Sequence, residues 1–317
     1  MLLQTNGWDR FSVYFSADYS RNYLLNCYQQ LQIENADQKS FENCYPFMYY
    51  LEHGKIYYQQ AQTSPIHIQP ILLFYGLVHL SKACILTANP NYPETTAVLA
   101  HGLSTRKRKK QQYSFLDDEV KLQRHGLFPL LAEKLFHMKQ LEGEKVKMGD
   151  LLKFIPELTP LFIKLMGQQT FLPIHTIDGS FALPKTLLDT YHMTESRFMT
   201  YIQQKVGGQV TFRGTDDRRI LFDCDSPLHL EPSIIKLNSM DQQYAFPLIR
   251  EDLAMMPELL LHYLLLYNLG MIARYEIDWW SELIKMMSNE DYPFIESFLE
   301  ITLKKGPSLI IRYLEGK

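Results

Sequence analysis

The chain has 317 residues, 46% of them hydrophobic, and a formal net charge of −3. This is enough apolar material for a sizeable core in one large domain or two ordinary ones, and the charge excludes a bulk electrostatic attraction to nucleic acid or anionic membrane, leaving local patches. Cys27, Cys44, Cys84 and Cys224 are widely spaced, with no CxxC pair and no Cys/His spacing suited to zinc, so free thiols in a reducing cytoplasm are expected and no metal or other cofactor is implied.

Residues 1–10 lack a basic region followed by an apolar run, so no secretory signal is expected. An amphipathic helix is expected over 18–31, then a polar loop at 34–38, then helical spacing from 41 to 61 that closes before Ser64-Pro65. Residues 71–86 are apolar almost all round, interrupted by His79, Ser81 and Lys82. A membrane span needs about 20 mainly apolar residues with few charges, so a buried core helix is the better reading. Asn89-Pro90-Asn91-Tyr92-Pro93 marks a loop. Helices are then expected near 95–100, 127–138 and 148–158, which makes the first half of the chain helical.

Residues 171–183 mix Pro, Gly and β-branched residues, and a helix over 185–205 ends at Gly207-Gly208. Alternating segments at 209–213 and 218–224, separated by Gly214-Thr215-Asp216-Asp217, predict a β-hairpin. Pro257 stands where the first turn of a second long apolar helix, 259–275, should begin. Gly76 and Gly270 lie inside the two apolar helices, where glycine costs about 1 kcal/mol against alanine, so close helix contact is the expected compensation. The fold class is therefore mainly α, a multi-helical bundle over 1–169 and 241–317 with a small α/β insert containing a hairpin at 170–240.

Within the insert, 186–191, a break at 192–194, 195–205 and the hairpin resemble a winged helix. In that reading Arg197, Gln203, Gln204 and Lys205 lie on the helix that enters DNA, and Arg213, Arg218 and Arg219 lie on the wing. Asp216-Asp217 opposes it by placing negative charge at the wing tip, and analogy of fold does not establish function.

The most conspicuous charged feature is Arg106-Lys107-Arg108-Lys109-Lys110. Five adjacent cations favour a solvated loop and also offer contacts to phosphate or an acidic protein face. His-Gly-Leu occurs twice, at 101–103 and 125–127. Glycines of this kind stop or start helices; a functional version would gather His101, Arg106, Arg124 and His125 around an anion. Walker A, GxGxxG, GxSxG and HExxH sequences are lacking, as are the Arg-to-His spacing of HEPN nucleases and a recognisable carboxylate arrangement for metal-dependent cleavage. No catalytic motif is recognisable. His79 and His262 read as hydrogen-bonded core histidines. Arg274 sits near a helix C-terminus, where its charge suits the exposed carbonyls, and Tyr275, Trp279 and Trp280 suit core closure or a binding surface.

Residues 264–280 (LLLYNLGMIARYEIDWW), 74–83 (FYGLVHLSKA), the first His-Gly-Leu and 293–300 (PFIESFLE) together resemble the YaaC-like family of bacterial proteins over most of the chain. The resemblance implies a cytoplasmic protein of Bacillus-type bacteria, encoded near IMP dehydrogenase, and brings no catalytic residues. The expected function is a non-catalytic cytoplasmic binding or regulatory protein acting through a protein partner, with an enzyme of purine nucleotide metabolism such as IMP dehydrogenase as the partner implied. The expected binding residues are His101, Arg106, Lys107, Arg108, Lys109, Lys110, Arg124, His125, Arg274 and Trp279. The alternatives are nucleic-acid binding through 106–110 and the insert, and a phosphate-directed enzyme using His101 or His125.

Overall fold

Ser16 takes an extended conformation and its hydroxyl accepts from the Tyr19 amide, so α1 (Ala17–Gln30) starts where a free helix N-terminus is satisfied. The structure, a computed structural model, describes residues 7–105, 113–138, 142–206, 210–224, 232–287 and 289–317. The chain continues through α2 (Ala36–Thr63), α3 (Gln69–Ala88), β1 (Leu103–Thr105), β2 (Glu119–Leu122), α4 (Leu127–Phe136), β3 (Lys145–Lys147), α5 (Met148–Leu152) and α6 (Thr159–Met166). Then come β4 (Phe171–Pro173), β5 (His175–Ile177), β6 (Ser180–Pro184), α7 (Thr186–Tyr191), α8 (Glu195–Lys205), β7 (Val210–Thr215) and β8 (Arg219–Cys224). The described chain ends with β9 (Lys236–Asn238), β10 (Gln243–Pro247), α9 (Glu258–Tyr275), α10 (Ile277–Met286) and α11 (Asp291–Glu315). The architecture is mainly α with small antiparallel sheets.

Two units are distinct: Met1–Gly149 with His262–Lys317, and Asp150–Leu261. In the first, α2 packs along α3, and α3 also packs on α11. Glycine permits this approach. A Cβ on Gly76 would lie 2.7 Å from the Tyr58 ring, and one on Gly306 would lie 2.2 Å from the Tyr58 hydroxyl, so Tyr58 fills the space that side chains on α3 and α11 would need. Gly270 differs from the expectation: its nearest neighbour would be 3.8 Å away, an ordinary contact. By length and hydropathy α3 could cross a membrane, but 67% of its apolar window is buried inside the protein.

The first half is not helical throughout. β1, β2 and β3 form an antiparallel sheet with Leu103 opposite Leu122 and Val120 opposite Val146. Each strand has only three or four residues, too few for a two-residue period to show, although Val146 is buried between exposed Lys145 and Lys147. Residues 96–99 form a short 3-10 turn, and the helix expected over 148–158 is divided into α5 and a 3-10 turn at Pro156–Leu158. His262 is fully buried and its Nδ1 lies 2.7 Å from the Thr302 hydroxyl, as a core histidine should be.

The second unit is wider on both sides than the insert read over 170–240. β4 pairs with β10, Leu248 N donates to Thr170 O, and the buried Glu157 carboxylate accepts from the Ser239 amide and hydroxyl at 2.8 and 2.7 Å. These bonds draw residues flanking the expected insert into its own unit. Its larger sheet has the order β5-β6-β8-β7, with a bulge between Phe212 and Gly214 in the expected hairpin. The segment 185–205 is two helices, as the division into 186–191 and 195–205 expects: it breaks at His192, which takes a left-handed conformation, and restarts at the Thr194 cap.

Candidate functional site

The two His-Gly-Leu segments meet through their glycines. Gly102 and Gly126 have φ of +78° and +134°, and a Cβ on Gly126 would come within 2.4 Å of the Gly102 backbone, so each position needs glycine for both conformation and space. Leu127 N donates to Ala100 O at 2.7 Å, and Phe128 N donates to His101 O at 3.1 Å. From α9, Tyr263 and Tyr267, one turn apart, donate their hydroxyls to His101 O and Leu103 O. The His101 backbone is thereby fixed, and its imidazole packs edge-on against Phe74, with Tyr75 and Tyr267 beside it.

Around His101 lie two helix faces. Tyr75, His79 and Lys82 recur at i, i+4 and i+7 on α3, while Tyr50, His53 and Tyr57 recur at i, i+3 and i+7 on α2, so each set projects from one side of its helix. Tyr57 stacks on His79 at 5.5 Å and lies 6.2 Å from Tyr75; His53 is 5.3 Å from His79. Lys82 Nζ stands 5.6 Å over the Tyr50 ring. Arg274, from the last turn of α9, donates Nη1 to the Tyr75 hydroxyl at 3.0 Å and Nε to Gly270 O at 2.9 Å, and its guanidinium lies over the Tyr75 and Tyr275 rings.

The electrostatics follow from half-burial of cations. Neither Lys82 nor Arg274 forms an ion pair with a carboxylate of the described residues. Burial pulls the Lys82 ammonium below the usual lysine range. Burial, then the charges of Lys82 and His53, lower His79 to about 4. Burial, then Arg274 and Lys82, lower His101. Both shifts favour the neutral imidazole, and the Nδ1 atom of each is buried with no hydrogen-bond partner among the described residues. The Tyr92 hydroxyl is buried and likewise has no partner among the described residues. Two cations with no counter-ion among the described residues, imidazole nitrogens with no partner there, and tyrosine faces form an arrangement chemically suited to an anion carried on a planar ring. Among the described residues no group of three or more His, Cys, Asp or Glu side chains is placed to hold a metal ion.

The sequence profile of the family described as YaaC-like Protein matches residues 12–314. The chain belongs to the YaaC-like family. No curated protein matches this YaaC-like protein, and no solved structure does.

Of the expected binding residues in this YaaC-like protein, His101 and Arg274 fall in one site. Arg124 and His125 are exposed beside the glycine contact, and the His101 ring makes its contacts with Phe74, Tyr75 and Tyr267. Arg106, Lys107, Arg108, Lys109 and Lys110 lie outside the described residues. Trp279 is half-buried and packs edge-on to Tyr113 at 4.6 Å, while Trp280 is buried and donates Nε1 to His67 O. His79 differs from a hydrogen-bonded core histidine, because its Nδ1 has no partner among the described residues. The sequence reading missed Lys82, Tyr50, Tyr57 and Tyr75. The available signal was the polar interruption of an apolar helix by His79 and Lys82, three residues apart and so on one face.

Proposed function

We propose that this YaaC-like protein is a non-catalytic cytoplasmic regulatory protein that binds a small anionic ligand bearing a planar ring between Lys82, Arg274, His101 and the tyrosines of α2 and α3. The observation carrying the reading is the pair of half-buried cations that, among the described residues, have no carboxylate partner, beside imidazole nitrogens that find no partner there either. A buried charge is normally paired, so an incoming phosphate or carboxylate supplies what the fold leaves open, and Tyr57 and Tyr75 offer faces for a ring.

Titration calorimetry with inorganic phosphate, adenosine and AMP tests this reading. AMP is expected to bind more tightly than either component alone. Lys82→Ala and Arg274→Ala should each weaken AMP binding about tenfold, the value of a charge-assisted hydrogen bond. Unchanged affinity in both variants, or no binding by any of the three probes, overturns the site. Turnover of bound AMP overturns the non-catalytic assignment.

The reading of a protein partner draws support from a different surface. Phe41, Tyr45, Tyr49 and Ile56 are 49–65% exposed and fall on one side of α2, an apolar stripe of the kind used for protein contact. The partner proposed is an enzyme of purine nucleotide metabolism, with IMP dehydrogenase as the first choice. Co-elution of the two purified proteins should be lost in Phe41→Ser/Tyr45→Ser; separate elution of the wild-type proteins rejects this partner.

A further inference from the structure

The second unit places a strand, two helices and a hairpin in an order with mechanical meaning. β6 leads into α7, a three-residue turn at 192–194 leads into α8, and β7 and β8 follow. β6 pairs with β8, the second strand of the hairpin, with Leu183 opposite Ile220. The hairpin is thereby anchored to the strand that precedes the helix pair. His192 takes the left-handed conformation in the turn (φ 51°) that a glycine often occupies in helix-turn-helix units. Tyr191 and Phe198 pack edge-on at 5.5 Å, both rings meet Phe246, and the Tyr191 hydroxyl donates to Pro247 O at 2.7 Å, which fixes the helix pair.

α8 buries Phe198 and Ile202 and exposes Ser196, Arg197, Thr200, Gln203 and Gln204 on one side. Every one of these side chains can hydrogen-bond a base edge, and none is acidic. Arginine suits guanine, glutamine suits adenine, and serine and threonine suit either. The helix's own acid, Glu195, is engaged by Lys185 at 3.1 Å. At the hairpin tip, Asp216 Oδ1 accepts from the amides of Arg218 and Arg219 at 2.7 and 2.6 Å, so one of the two tip acids serves the turn itself. Arg213 pairs with Asp223, while Arg197 and Arg218 are exposed and pair with no described carboxylate.

We infer that Asp150–Leu261 carries a helix-turn-helix surface for duplex DNA, with the exposed face of α8 in the major groove and Arg218 of the β7–β8 hairpin against the phosphate backbone. This function is independent of the anion site. Residues 180–224 hold six Lys/Arg and five Asp/Glu. The surface therefore has little charge for sequence-independent binding, and base contacts must supply a large share of its affinity.

Selection by the full-length protein from a pool of randomised duplex DNA, followed by anisotropy titrations, tests the inference. A defined sequence should be enriched. Arg197→Ala and Gln204→Ala should each weaken binding to it about tenfold and relax the preference at one base pair. Arg218→Ala should weaken enriched and random duplexes alike. Both α8 positions are exposed, so circular dichroism of the variants should match the wild type. Failure to enrich any sequence, or wild-type affinity in both α8 variants, overturns the inference; the latter result would assign the binding to another part of the chain, such as the basic run 106–110. Equal affinity for an RNA duplex of the enriched sequence also overturns it, since a helix cannot enter the deep, narrow A-form major groove.

Discussion

Gly126 illustrates how one residue type does two things at one position. Its φ of +134° disfavours any side chain, and a Cβ would meet the Gly102 backbone at 2.4 Å. Gly143 also has a positive φ, of +81°, but faces open space. Gly143→Ala should therefore cost about 1 kcal/mol from backbone strain alone, and Gly126→Ala more than about 3 kcal/mol because the His101 segment must move as well. Urea titration of the two variants measures the difference, and equal losses would show that the close approach is relieved without cost. The sequence displayed both His-Gly-Leu repeats and invited two readings, glycine as a backbone device or histidine as an anion ligand. The structure has the glycines in the first role, and turns the His101 ring toward Phe74 and Tyr75, which no local pattern around residue 101 foretells.

At the level of elements, buried carboxylates hold segments that lack hydrophobic periodicity. Asp291, in the first turn of α11, is 1% exposed. Its oxygens accept from Ser114 Oγ at 2.9 Å, Phe115 N at 2.8 Å, Leu116 N at 3.2 Å and Asn289 Nδ2 at 3.0 Å. A carboxylate there also suits the positive end of the helix dipole. Asp291→Ala strands two backbone donors and should destabilise the protein by about 3 kcal/mol or more. Hydrogen exchange should then accelerate first at 115–116; unchanged protection would mean that other bonds hold the segment. Helix boundaries at Ser64 and Tyr275 were legible because capping and apolar periodicity are local properties. The strands β1–β3 were not legible: each has three or four residues and contributes only one or two buried side chains, too few for a two-residue period to show.

For the whole molecule, stability against acid follows from groups buried in neutral form. His79 is lowered from its ordinary value of 6.5 to about 4, mainly by burial. Between those values His79 binds more protons in the unfolded chain than in the folded one, so its contribution to stability is fully present above about pH 6.5 and is lost as pH falls toward about 4. His101 is displaced in the same direction. Urea midpoints measured across this window should fall less steeply in His79→Phe than in the wild type, and parallel profiles would remove His79 from the acid response. Saturating phosphate should raise the thermal midpoint of the wild type and leave that of Lys82→Ala/Arg274→Ala nearly unchanged, because only a ligand bound preferentially to the native state stabilises it.

The sequence by itself determined the helical class, the two apolar helices, the hairpin, the broken helix before it and the family resemblance. All of these rest on periodicity, turn chemistry or motif content within about 20 residues, where side-chain spacing and backbone preference act directly. Tertiary structure alone decided that Lys82 and Arg274, far apart in sequence, both act on the His101 imidazole, and that Glu157 and Ser239 belong to one unit. It also decided that β6 lies beside β8. Such pairings are set by which buried surfaces and unsatisfied polar groups meet after the chain folds back on itself, and that information is spread over the whole sequence.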